Sequence, residues 1–221
     1  MSKQTIRAVV LLVGTYIMCQ AIADIGATKL VEIGGVVMPG GTFIFALTFT
    51  LRDVIHKRLG KEWARQAIFA AAGLNVLLAV YLAAVSRLPS PGFFELGDAW
   101  GAIFALVPAI TIASIVAEMV SQLTDTEVYQ FWRNRFPRAP QWSRVVASNI
   151  VSLPVDSIVF TGLAFVLLPP LFGAEAMPLG AAVARIASGQ ILYKAAVTVL
   201  SLPLIYTVPD RQRGEGAGAT D

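Results

Sequence analysis

Long apolar blocks alternate with short charged clusters along this chain. Six blocks meet or approach the length of about 20 residues, within a range of about 17–25, that a helix needs to cross a bilayer. They are Ala8–Ala23, Ile33–Leu51, Gln66–Ser86, Ala99–Thr124, Val145–Ala174 and Ala176–Pro209. The first three hold no charged residue. The fourth is interrupted only by Glu118 and the fifth only by Asp156, while the sixth holds Arg185 and Lys194. This pattern predicts an all-α, polytopic membrane protein with six transmembrane helices, residues 1–209 forming one transmembrane domain.

Composition points the same way. Of 221 residues, 56% are apolar and 14% charged, against about 45–50% and about 25% in soluble domains. A soluble enzyme, a disordered chain and a nucleic-acid-binding domain are therefore excluded. The net charge of +3 reflects where the basic residues fall. If both termini are cytoplasmic, 13 of the 17 Lys and Arg residues lie on the inner side, among them Lys3, Arg7, Arg52, Lys57, Arg58, Arg133, Arg135 and Arg138. Basic residues concentrate in cytoplasmic loops, so the expected topology is N-in and C-in. Lys3, Arg7 and the Ala21-Ile22-Ala23 tripeptide resemble a cleavable signal peptide. However, the apolar run is long for a signal core, and its removal would spoil the charge pattern, so it is read as the first span. The Gly-rich residues 210–221 predict a disordered cytoplasmic tail.

Polar residues inside the spans form stripes. Thr111, Ser114, Glu118, Gln122 and Asp125 recur at intervals of three and four, which places them on one helical face. Ser148, Asn149, Ser152 and Asp156 share a face of the fifth span, and Gln190, Lys194, Thr198 and Ser201 share one of the sixth. Serine, threonine and amide side chains often serve only as contacts between membrane helices, and Thr111, Ser114 and Ser148 fit that use. An ionisable group in a span costs about 2.5–3.5 kcal/mol, so Glu118, Asp156 and Lys194 are candidates for function. Their depths predict that Asp156 and Lys194 pair, or share a ligand, near the bilayer centre, within a polar cavity. The segment Asp24–Gly41, with its glycines and Pro39, cannot form one smooth helix. It either lines a cavity, as broken helices do in transporters, or forms an outer loop before a short second helix.

Catalytic chemistry lacks its parts. His56 is the one histidine and lies in a basic loop, Cys19 has no histidine partner, and there is no HExxH motif. No metal site, cofactor or catalytic residue is expected, and Ser152 with Lys194 lacks the context of a nucleophilic pair. The absence of GxxxxGK[ST] excludes ATP hydrolysis by that route.

Several ordered landmarks carry a family resemblance. They are Asp24–Lys29 (DIGATK), Pro39–Phe43 leading to Leu51–Ile55 with Gly60 and Ala64-Arg65, and Ala113-Ser114 through Ser121-Gln122 and Asp125. Trp142, Ala147–Asn149, Asp156-Ser157, Phe160 and Tyr193-Lys194 follow. With these the chain resembles the vitamin uptake transporter family, whose characterised members transport queuosine precursors. The family tends to have Asn in place of Asp24 and often Glu in place of Lys57. The resemblance implies a fold akin to the substrate-binding subunits of vitamin importers. It also implies uptake of 7-cyano-7-deazaguanine or 7-aminomethyl-7-deazaguanine through the inner membrane of a bacterium. The expected partners are that small-molecule base and the lipid bilayer, with no nucleic acid and with homo-oligomer formation left open. A guanine-like edge presents N–H donors suited to a carboxylate and a carbonyl suited to a donor. Asp53, Glu118 or Asp156 could fill the first role, Gln122, Asn149 or Lys194 the second, and Phe43, Phe45 or Phe160 could stack on the ring. The alternative is a substrate-binding subunit energised by separate ATPase subunits, with Ala70–Gly73 as a docking surface.

Overall fold

Helices dominate the computed structural model, which describes residues 3–139 and 141–207. The helices are α1 (Lys3–Gly26), α2 (Thr42–Leu59), α3 (Lys61–Ser86), α4 (Gly97–Phe104), α5 (Val107–Arg135), α6 (Gln141–Gly162), α7 (Leu179–Ala181) and α8 (Ser188–Thr207). Among the described residues, four stretches are long and apolar enough to cross a membrane: Val9–Gly26, Glu62–Ser86, Gly97–Arg135 and Val146–Leu167. A shorter apolar stretch, Thr42–Arg52, opens α2. The chain is thus an all-α, multi-pass membrane protein. The tail expected at 210–221 lies outside the described residues.

The second apolar block departs from expectation. Its first part is a β-hairpin, with β1 (Leu30–Ile33) antiparallel to β2 (Val36–Pro39) and Ile33 opposite Val36. Gly34 and Gly35 turn the chain with φ of 59° and 81°. Two consecutive residues at positive φ favour glycine, and a two-residue turn of this hand matches the strand twist. The hairpin was readable as LVEI-GG-VVMP, but the apolar run continuing to Leu51 masked it. Helix α2 therefore begins at Thr42 and runs through the segment predicted to be a basic loop. His56 lies on it, and that residue's side chain is outside the described ones.

Small residues let the helices approach closely, as membrane bundles require. Tyr16, Ile55, Leu59, Ala64, Ala67 and Ala71 join α1, α2 and α3. A second cluster of Ala27, Ile110, Ala113, Ala164, Phe165 and Ile186 sits beneath the hairpin. Leu11, Phe69, Leu77, Leu123, Ile150 and Leu192 point outward, where lipid rather than water is the favourable neighbour.

Two helices change pitch beside the core. Pro154 interrupts α6, which continues as a π-helical segment at Leu163–Leu167, and a second π-helical segment at Ala182–Ala187 leads into α8. Strand β2 packs on that second segment and on α8. That seam depends on Gly189, where a Cβ would collide with the Val37 carbonyl, and the foot of the hairpin meets α1 at Gly41, where a Cβ would collide with the Ala23 carbonyl. We expect Gly189→Val to lift the hairpin and cost about 1–3 kcal/mol, the range of overpacked sites. A melting curve in detergent measures this, and a melt equal to wild type would refute the docked hairpin.

Candidate functional site

Asp24 is placed by the last turn of α1, two residues before Gly26 ends the helix. Its Oδ2 accepts hydrogen bonds from Asn75 Nδ2 on α3 at 3.0 Å and from Thr111 Oγ1 on α5 at 2.9 Å. Ser114 is a further hydrogen-bond partner of this carboxylate. All of these bonds come from neutral groups, so a carboxylate 2% exposed is solvated by the bundle itself, as a buried charge requires.

Across from it, Lys194 Nζ lies 2.6 Å from Asp156 Oδ2, 3.2 Å from Gln190 Oε1 and 3.4 Å from Ser157 Oγ. The ammonium also sits 5.3 Å from the centre of the Phe45 ring, a cation–π distance. Gln190 is held in turn by Thr161 Oγ1 at 2.9 Å. An ion pair this buried is tolerable only because its remaining donors are satisfied.

These two clusters face one cavity of about 360 Å³, its open mouth included. Asp24 and Ala23 from α1, Pro39 and Gly41 at the foot of the hairpin, and Thr42 and Phe45 from α2 form one side. Ser114, Asp156, Phe160, Gln190 and Lys194 complete it. The chamber thus combines aromatic walls, two carboxylates and an ammonium. Such walls suit a flat ring whose edge carries several hydrogen-bonding groups.

The expected pairing of Asp156 with Lys194 is formed. The other expected site residues are distributed differently. Glu118 lines a second, smaller cavity of about 240 Å³, its open mouth included, with Gln20, Ala71, Ala72, Asn75, Ser114 and Ile115. Ser114 is common to both, so Glu118 is a neighbour of the first cavity rather than part of its wall. Gln122 donates Nε2 to Glu118 Oε1 at 3.0 Å and stays outside both cavities. Asn149 is half-buried on α6, also outside both. Asp53 lies on α2 with its side chain outside the described residues. Asp125 pairs with Ser152 at 3.3 Å. Phe43 packs edge-on against Tyr193 at 5.2 Å instead of lining the chamber. Of the small residues proposed as a docking surface, Ala71 is spent in the α1–α3 core.

Asp24, Gln190, Asn75 and Gln20 were missing from the expected site. Gln190 was visible on the polar stripe of the sixth span. Asp24 adjoined an irregular segment and so read as a loop residue, and Asn75 and Gln20 are single amides in otherwise apolar runs, with no periodic partner to mark them.

A sequence profile described as "Putative vitamin uptake transporter" matches residues 39–208. A protein of Bacillus subtilis (strain 168) named "Probable queuosine precursor transporter" is 27% identical over 197 residues, covering 86% of this chain and 82% of that protein. No solved structure matches the chain.

Proposed function

The chain belongs to the vitamin uptake transporter family, and on that premise we propose that it imports queuosine precursors, the 7-deazaguanine bases, across the bacterial inner membrane. The observation that carries this reading is the chamber between Asp24 and the Asp156–Lys194 pair, walled by Phe45 and Phe160. The aminopyrimidinone edge of the base presents adjacent N–H donors, which a carboxylate accepts together. Asp24, a carboxylate where the resemblance would place Asn, takes that edge in this chain, its partners all being neutral donors. Gln190 serves the carbonyl side together with Lys194, which exchanges its long 3.4 Å contact to Ser157 for the ligand, and the rings of Phe45 and Phe160 cover the bicycle. In this reading α1, α2, α3, α5, α6 and α8 are the six spans, with both termini cytoplasmic and residues 1–209 as one unit. The arrangement is akin to the substrate-binding subunits of vitamin importers, while transport itself needs no ATPase subunit.

Thermal-shift measurements on the purified protein test the ligand class. 7-Cyano-7-deazaguanine and 7-aminomethyl-7-deazaguanine are expected to raise the melting temperature, while pyrimidines and unrelated vitamins leave it in place. A tenfold excess over Kd corresponds to about 1.4 kcal/mol of stabilisation. The absence of a shift with every deazapurine would reject the assignment. Proteoliposomes free of other proteins should take up the labelled base, and uptake that appears only after adding ATPase subunits would favour the multi-component importer.

A further inference from the structure

The second cavity holds a buried group that no atom of the described residues satisfies. Asn75 is 5% exposed, and its Oδ1 has no hydrogen-bond partner among the described residues. A buried amide oxygen left unpaired costs about 1–3 kcal/mol, so its persistence calls for something that binds there. The amide is oriented by its other end, since Nδ2 is committed to Asp24 at 3.0 Å.

The rest of the lining is rich in oxygen. Gln20 gives its Nε2 to the Tyr16 hydroxyl at 3.1 Å, leaving its carbonyl oxygen as an acceptor. Glu118 contributes a carboxylate that accepts from Gln122 and from the Tyr16 hydroxyl and keeps further lone pairs for an ion, and Ser114, which donates to Asp24, adds the lone pairs of its hydroxyl oxygen. No Lys or Arg lines this cavity among the described residues. Arg52, on α2, acts electrostatically on Glu118 from outside the lining. An amide carbonyl is too weak a base to hold a proton near neutrality, yet it is a good ligand for a hard cation. Neutral carbonyl and hydroxyl oxygens with a single carboxylate fit a monovalent ion better than a divalent one, which gathers several carboxylates.

The geometry points to a sodium site in this cavity, with Asn75 Oδ1, Gln20, Ser114 and Glu118 as its oxygen ligands. The site deepens the carrier reading and rests on it for its purpose. Asn75 touches the ion through Oδ1 and Asp24 through Nδ2, and Ser114 borders both cavities. Occupancy of one site therefore orients the acceptor of the other, and by linkage each ligand must tighten the other by the same factor.

The test begins without any base. The purified protein is melted in NaCl, KCl and choline chloride at equal ionic strength. Sodium is expected to raise the melting temperature saturably, with potassium and choline equivalent to each other. Asn75→Leu should abolish the sodium increment. Gln20→Leu leaves Asp24 and its partners untouched and should weaken half-saturation by about tenfold, the loss of roughly one good polar contact. Equal melts in all three salts, or a sodium increment unchanged in both Asn75→Leu and Gln20→Leu, would overturn the site. A sodium increment without any response to deazapurines would uphold it and reject the ligand assignment instead. In proteoliposomes, an inward sodium gradient should accelerate uptake of 7-aminomethyl-7-deazaguanine, and Gln20→Leu should remove most of that acceleration.

Discussion

Lys194→Met is expected to destabilise the protein by about 3–5 kcal/mol, because it strands the Asp156 carboxylate in a site 3% exposed with no cation to balance it. Asp156→Leu strands the ammonium in the same way. The double variant Asp156→Leu/Lys194→Met removes both charges and fills the space with apolar volume. It is expected to return to within about 1 kcal/mol of wild type, since buried pairs contribute little net stability over apolar isosteres. Uptake of the base should stay absent in all three. Chemical denaturation in detergent with parallel uptake assays measures both quantities. A double variant that transports at the wild-type rate would show that the pair is structural only. Failure of the double variant to regain stability would show instead that Gln190 and Ser157, which also hold Lys194, depend on the ammonium for their placement.

Asp24→Asn should separate charge from shape at the opposite wall. The amide is nearly isosteric, but it replaces one carboxylate oxygen with a donor facing the donors Asn75 and Thr111, or else turns that donor toward the ligand edge. A hydrogen bond to a charged partner contributes about 1.5–3 kcal/mol, so ligand affinity is expected to fall by roughly 10- to 100-fold while insertion and helix content are retained. Asp24→Ala should do worse, because it leaves the buried Asn75 and Thr111 donors unsatisfied as well. Direct binding measurements by calorimetry test this. Affinity within twofold of wild type in Asp24→Asn would move the edge-reading role away from this residue.

The two walls of the chamber differed in how far the sequence disclosed them. Asp156 and Lys194 stood out because a charge in an apolar span has few innocent explanations, and their depths matched well enough to foresee their contact. The α5 stripe was legible from its spacing, yet spacing names a face and not what it meets. Glu118 and Ser114 share that face, but Glu118 opens only into the cavity bounded by α1, α3 and α5, while Ser114 borders both. Asp24 was hidden for a different reason. Helix ends beside glycine-rich segments look solvated in one dimension, and only the return of the hairpin against α8 shows that this end is buried. The hairpin itself carried a local signal, Gly34-Gly35 between apolar runs, that the neighbouring hydrophobicity overwhelmed. Asn75 had no signal at all, because its meaning depends on a partner 51 positions away.

The electrical neutrality of the Asp156–Lys194 pair bears on how such a carrier can work in an energised cell. A single charge carried through the full membrane potential exchanges about 2.3 kcal/mol per 100 mV with the field. Opposite charges 2.6 Å apart that travel together exchange almost nothing. The pair can therefore shift with α6 and α8 through the bilayer without voltage driving or opposing it, so any voltage dependence of uptake must come from other charges, the Asp24 and Glu118 carboxylates or what the protein carries.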